Sequence, residues 1–290
     1  ITLSGLDWRQ VGGLTEDGVT YDIFQSGNAI VEVATSITRI GGPIAPVVLT
    51  DAVSGPGGFL INGRAADAET GYSVSIIGDV NGDGLDDIAV GAPDESGSGV
   101  TYVVFGKADG TTVDLSDVRN GIGGFAIIGE RDGDRAGTAV SGLGDINGDG
   151  FDDILVSAPN YDIETAYDTY TDTGSIYVVY GKDNTGTVLL SDIGRGEGGI
   201  VIDGVYEDYY AGLSVSGAGG VNGDGIEDLL IGTPRSEMHG IDSGAAYVVF
   251  GGGDDKVIEL DDLEGDTPTG GFAIHSVNEG SRAGASVSFA

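Results

Sequence analysis

The sequence contains no cysteine. A small scaffold held by disulfides is therefore excluded, while the compartment is left open. Basic residues are scarce: 12 Lys and Arg stand against 47 Asp and Glu in 290 residues, a formal charge of −35. Phosphate binding needs basic surface, so nucleic acid is excluded as a partner and an anionic membrane is equally unattractive. No run of 18 apolar residues occurs, so no membrane insertion is expected. Histidine is limited to His239 and His275, and no Gly-x-Ser-x-Gly elbow is present. A Ser-His-Asp triad would need one of these two beside a nucleophile, and a two-histidine metal pair has no motif behind it. The acids are so numerous that no single carboxylate pair marks a glycosidase. Asp132-Gly133-Asp134, following Glu130, reads as a hydrated turn. The chain is expected not to be an enzyme.

Glycine is abundant, at 55 residues against an ordinary share of about 7%. It shows no collagen period and sits at turn positions between strand-like runs, where φ > 0 is needed. The 40% of apolar residues falls in β-alternating runs of Val, Ile, Tyr and Phe. The fold class expected is all-β.

One acidic loop recurs three times. It reads Asp79-Val80-Asn81-Gly82-Asp83-Gly84-Leu85-Asp86-Asp87, then Asp145-Ile146-Asn147-Gly148-Asp149-Gly150-Phe151-Asp152-Asp153, then Gly220-Val221-Asn222-Gly223-Asp224-Gly225-Ile226-Glu227-Asp228. An apolar strand and a turn follow each copy: Gly91-Ala92-Pro93, Ser157-Ala158-Pro159 and Gly232-Thr233-Pro234. The loops lie in a larger repeat. Gly57-Gly58-Phe59, Gly123-Gly124-Phe125, Gly198-Gly199-Ile200 and Gly270-Gly271-Phe272 open successive units, 66, 75 and 72 residues apart. Gly-x-x-Val-Ser follows in each unit, and an aromatic strand closes it, as in Val100-Thr101-Tyr102-Val103-Val104-Phe105. Four short strands per unit, repeated in series, point to a β-propeller of four-stranded blades.

The loop chemistry points to a hard cation. Positions 1, 3, 5 and 9 carry side-chain oxygens, position 7 offers a main-chain carbonyl, and glycines at positions 4 and 6 let the chain curl. The expected metal ligands are Asp79, Asn81, Asp83, Leu85 (carbonyl) and Asp87 in the first loop, and Asp145, Asn147, Asp149, Phe151 (carbonyl) and Asp153 in the second. In the third, Gly220 removes the first carboxylate and leaves Asn222, Asp224, Ile226 (carbonyl) and Asp228. Ca2+ suits such a set because it accepts six to eight oxygens in flexible geometry, whereas magnesium demands a tighter octahedron. Affinity should fall with ligand charge, so two sites are expected to be strong and the third weaker. The closing acid stands at position 9 and strands flank the loop, so these read as structural staples rather than switches. Three divalent ions would bring −35 only to about −29, so most of the acid serves solubility.

These residues resemble FG-GAP repeats, known from integrin α-subunit propellers and from large secreted bacterial calcium-binding, adhesin-like proteins. The resemblance covers roughly residues 57–290, with three full repeats and part of a fourth. The Phe-Gly half of the motif is reduced to Thr70-Gly71, Ala136-Gly137, Ala211-Gly212 and Ala283-Gly284. The resemblance implies loops that bind calcium and a propeller usually of seven blades. It also implies an extracellular or cell-surface interaction module, serving adhesion or surface assembly. Its partner would be a protein or glycan at the cell surface, or neighbouring subunits. The alternatives are a non-catalytic propeller domain of a secreted hydrolase and a structural subunit of a filament or surface layer.

Residues 1–40 do not follow the repeat. Val19 to Phe24 and Ala29 to Ala34 flank the turn residues Gln25-Ser26-Gly27-Asn28 and read as a β-hairpin. The segment from Trp8 to Ile37 resembles a short β-module found beside FG-GAP propellers in giant bacterial surface proteins. Residues 41–56 carry three prolines and read as a linker. No initiator Met, basic n-region or apolar h-region stands at Ile1, which reads as a mature or cut chain. The last residues, Ser286 to Ala290, stop where a fourth acidic loop would start. Two readings stay open: a piece of a longer propeller, or a four-bladed ring completed by the N-terminal hairpin. Two loops are longer than their counterpart in the first repeat, Asn160–Gly174 and Arg235–Gly244. Tyr161, Tyr167 and Tyr170 in the first of these form a candidate contact surface, against the plainer reading of a solvated spacer.

Overall fold

The structure is a computed structural model. It describes the backbone of residues 9–16, 19–26, 29–39 and 42–44, and residues 58–164, 169–204, 206–252, 257–264 and 270–289. Two compact units are formed. One comprises Ile1–Leu60 with Asp109–Thr111, the other Ile61–Ala108 with Thr112–Ala290.

The first unit holds a four-stranded antiparallel sheet in sequential order: β1 (Arg9–Glu16), β2 (Val19–Ser26), β3 (Ala29–Arg39) and β4 (Gly42–Ile44). Ser26 stands opposite Ala29 where β2 pairs antiparallel with β3. β4 lies inside the stretch read as a linker; residues 45–56 lie outside the described residues.

The second unit consists of propeller blades. It opens with β5 (Ile61–Asn62), then β6 (Val74–Gly78), β7 (Asp87–Ala92) and β8 (Val100–Val104). A connection through β9 (Val113–Asp114) and helix α1 (Leu115–Arg119) leads to β10 (Gly124–Ile128), which pairs antiparallel with β8. Blade 2 runs β11 (Val140–Gly144), β12 (Asp153–Ala158), a small hairpin of β13 (Ile163–Glu164) and β14 (Thr169–Tyr170), and β15 (Ser175–Val179). It is completed through β16 (Val188–Leu189), α2 (Leu190–Ile193) and β17 (Gly199–Asp203). Blade 3 runs β18 (Ser214–Gly219), β19 (Asp228–Thr233), β20 (Ala245–Val249), β21 (Val257–Glu259), a 3-10 turn at Leu260–Leu263 and β22 (Gly271–His275).

The phase of the repeat differs from the sequence reading. The Gly-Gly-Phe strand does not open its own unit; β10, β17 and β22 each form the fourth strand of the preceding blade. The reason lies in pairing. This apolar strand finds its antiparallel partner in the aromatic strand before it, with Gly124 opposite Val104 and Ile128 opposite Val100. The short strand that follows in the chain then adds in parallel to the edge so made. β16 pairs with β10, β21 with β17, and β9 with β5. Consecutive blades are thereby stitched together through the main chain.

The middle blade explains why its strands are apolar throughout. Side chains alternate between the faces of a strand. Ile154, Val156, Tyr177 and Val179 enter a core shared with blade 1, while Leu155, Ile176 and Val178 enter one shared with blade 3. A sheet covered on both faces needs apolar residues at every position, not at alternate ones. The same logic accounts for exposed apolar side chains on the outer blades. Val140 and Val215 are each 8% exposed, but their equivalent Val74 in blade 1, on a face that no other described blade covers, is 61% exposed. The turn glycines also pack blades together. A Cβ on Gly91 would lie 2.1 Å from the carbonyl oxygen of Gly137, so the Gly-Ala-Pro glycine of one blade must touch the Gly-x-x-Val-Ser glycine of the next.

Candidate functional site

The acidic loops join the first and second strands of each blade. A bulge precedes every one, where register shifts between Ile76 and Gly78, Gly142 and Gly144, and Gly217 and Gly219. The bulge raises local twist and aims the loop away from the ladder. In the first loop, Asp79 folds back on its own backbone. Its Oδ1 accepts the N–H groups of Gly82 (2.8 Å) and Asp83 (3.0 Å), and its Oδ2 that of Gly84 (2.8 Å). Asn81 Oδ1 accepts the Asp83 N–H at 2.8 Å, and Asp83 Oδ1 accepts the Leu85 N–H at 2.9 Å. Such a curl puts Gly82 at φ 76° and Gly84 at φ 87°, a region that favours glycine.

The second loop repeats this bond by bond. Asp145 accepts from Gly148, Asp149 and Gly150, Asn147 from Asp149, and Asp149 from Phe151, all between 2.7 and 3.0 Å. The third loop keeps the Asn222–Asp224 and Asp224–Ile226 bonds at 2.9 and 2.8 Å. At position 1, Gly220 supplies only its carbonyl, which accepts the Gly223 N–H at 3.3 Å. The closing bond moves as well: Asp228 Oδ2 accepts from Asn222 at 3.2 Å, one residue later than in the other loops.

The acid at position 9 is the buried member of each set; Asp87, Asp153 and Asp228 are all 0% exposed. Asp87 accepts the Val80 N–H at 3.0 Å and the Gly106 N–H at 2.7 Å. Asp153 accepts those of Ile146 (3.0 Å) and Gly181 (2.9 Å). Gly106 and Gly181 follow the third strand, so this acid ties the loop to the far side of its blade. Burial pushes the Asp87 carboxyl up to about 6 and that of Asp153 up to about 7, against the downward pull of the two N–H donors. A neighbouring cation would favour the charged form.

The donors suit a hard cation by type, since all are oxygens and each oxygen has two lone pairs. One amide occupies Asp79 Oδ2, Asn81 Oδ1 and Asp83 Oδ1, leaving a lone pair on each. Among the described residues, no three His, Cys, Asp or Glu side chains are clustered in metal-holding geometry. The three acids expected as ligands in the first loop, Asp79, Asp83 and Asp87, and those in the second, Asp145, Asp149 and Asp153, are thus not brought together as such a cluster.

Several residues stand elsewhere than the sequence suggests. Tyr161 is no exposed contact residue. It packs against the core shared by blades 1 and 2, with the Arg131 guanidinium 5.0 Å from its ring centroid, and burial pushes its hydroxyl up to about 12. Tyr170 in β14 is exposed, and Tyr167 lies outside the described residues. Replacing Tyr161 with Ser should therefore cost about 3 kcal/mol of stability, near the range for truncating a large core side chain. Tyr170→Ser should stay within about 0.5 kcal/mol. Denaturant titration of the two variants checks this, and equal effects would contradict it. Asp134 is also not a hydrated turn residue: it is 3% exposed and accepts the Arg131 N–H at 2.8 Å. The two histidines come together in blade 3, with ring centroids 5.1 Å apart, and His275 Nε2 lies 2.7 Å from Glu264 Oε2.

Position 8 is the residue that the sequence reading passed over. Asp152 Oδ2 accepts the main-chain N–H of Asp79 at 2.8 Å, across the blade boundary. The recurring acid at this position (Asp86, Asp152, Glu227) was the available signal.

Comparison with known proteins concerns the repeat. The family model for the FG-GAP repeat matches residues 70–104 and 136–179. Integrin alpha-PS2 of Drosophila melanogaster is 28% identical over 185 residues, which is 64% of this chain and 12% of that protein. Integrin alpha pat-2 of Caenorhabditis elegans is 30% identical over 204 residues, 65% of this chain and 14% of its own length. Integrin alpha-4 of Xenopus laevis is 30% identical over 163 residues, 55% and 14% respectively. The chain thus spans about a seventh or less of the relatives it matches.

Proposed function

We propose that this integrin-α-like FG-GAP domain is a calcium-stapled, non-catalytic interaction module that works outside the cell or at its surface. The observation that carries the calcium reading is the in-register recurrence of the loop. Asp79 and Asp145 adopt the same three amide bonds, and the same glycines take positive φ. Concentrating acids in nine residues is repulsive without a cation, and burying the position 9 carboxyl adds to the cost. Calcium answers both. The residues that would hold it are the oxygens of Asp79, Asn81, Asp83, Asp87 and the Leu85 carbonyl, with their equivalents in the second loop and the reduced set in the third. The ion would supply positive charge that joins strand ends; no chemistry on a substrate is assigned to it.

The interaction reading draws on the likeness to integrin α chains and on the display of variable loops by rigid blades. Its partner is a protein or glycan at the cell surface, or a neighbouring subunit. Among the described residues no helix is long and apolar enough to cross a membrane.

The three loops should differ. Asp83→Ala and Asp149→Ala should each remove one tightly bound ion, while Asp224→Ala should cost less because Gly220 has already weakened its loop. Calorimetric titration of the variants tests this, and magnesium at equal concentration should give little heat. Equal calcium affinity at all three loops would contradict the charge-count argument.

A further inference from the structure

We propose that Asp152 couples the first acidic loop to the second, so that an ion held in one raises the affinity of the other. The inference rests on the calcium reading above. Two hydrogen bonds form a reciprocal clip between the loops. Asp152 Oδ2 accepts the Asp79 N–H at 2.8 Å, and the Asp152 N–H donates to the Asp79 carbonyl at 3.1 Å. The approach is close: a Cβ on Gly78 would lie 2.0 Å from Asp152 Oδ2, and one on Gly82 would lie 2.8 Å from the Phe151 ring.

The placement of the clip gives it a role beyond packing. Asp152 lies between Phe151 and Asp153, two of the five donors of the second loop. Its partner Asp79 is the first donor of the first loop and sets that loop's curl through three further amide bonds. An ion that fixes residues 151–153 therefore also fixes the main chain of Asp79. The ordering cost met by the first ion is not met again by the second, which is positive coupling without a change of fold. Linkage makes the effect reciprocal. Between the second and third loops the clip is missing. Among the described residues no hydrogen bond joins Glu227 to the second loop, and only its side-chain carbons approach Gly144, at 3.2 Å from an added Cβ. Asp152 is thus a positioning residue at one boundary and has no working equivalent at the other.

The test is a double-mutant cycle read by calcium calorimetry on the full chain: parent, Asp149→Ala, Asp152→Ala and the double variant. First-loop heat is identified by its loss in Asp83→Ala. Removing the second site with Asp149→Ala should weaken the first loop by about 5-fold or more, the lower end of ordinary coupling. In the Asp152→Ala background the same change should alter it by less than about twofold. Asp224→Ala should leave the second loop within about twofold of the parent. Hydrogen exchange gives a readout without the ion: the Asp79 amide should lose protection in Asp152→Ala. First-loop affinity equal in parent and Asp149→Ala would overturn the coupling. Coupling retained in Asp152→Ala would overturn the role of that side chain. Absence of calcium heat at every loop would overturn the calcium reading, and the coupling with it. If Asp152→Ala does not fold, Asp152→Asn keeps one oxygen acceptor and should retain the coupling, while the parent and Asp149→Ala pair decides alone.

Discussion

Excess chelator is expected to lower the melting temperature by roughly 10–20 °C. An ion that binds only the folded state adds about 2.7 kcal/mol at a hundredfold excess over its Kd. Two strong loops then contribute about 5 kcal/mol. For a domain of 150–250 residues each kcal/mol shifts Tm by about 2–4 °C, which gives the stated range. Readdition of calcium should restore the parent curve, and magnesium should not. Unchanged melting in excess chelator would refute the staple role. The expectation depends on the loops being part of the fold rather than appendages. Asp87 and Asp153 tie them in, through Gly106 and Gly181 at the far ends of their third strands.

Asp153→Ala is expected to cost about 2–5 kcal/mol, and to do so with or without calcium. The side chain is fully buried and accepts two main-chain N–H groups, from Ile146 and Gly181. Removing it leaves two donors without partners inside the blade, at about 1–3 kcal/mol each. Asp149→Ala provides the contrast. Asp149 lies on the exposed loop, and among the described residues its carboxylate holds the Phe151 amide and the Asn147 side chain. Its cost should be large in calcium and nearly vanish in chelator. Urea unfolding of both variants, with and without chelator, separates the two roles. A cost for Asp153→Ala that vanished in chelator would mean that Asp153 is a ligand and nothing more.

What the sequence made legible follows from what is local. Loop and following strand are contiguous, so their recurrence could be read directly. Features set by contact between distant segments could not. The fourth strand of blade 1, β10, reaches its partner only after the chain has passed through α1, and a period alone carries no phase. Tyr161 resembled a loop residue because its neighbours are polar, yet it packs against the core shared by blades 1 and 2. The role of Asp152 depends on the blade before it, 73 residues away in sequence. Asp152 and Asp153 are adjacent, but the structure separates their roles: Asp153 closes its own loop and Asp152 holds the previous one.

The most direct test is equilibrium counting of calcium on the metal-stripped chain, by dialysis or calorimetry, up to about millimolar free ion, the weak end of protein calcium sites. Two tightly bound ions, lost one each in Asp83→Ala and Asp149→Ala, and a third, weaker ion lost in Asp224→Ala, are the predicted result. No saturable binding at that concentration, or binding untouched by these three substitutions, would contradict the account.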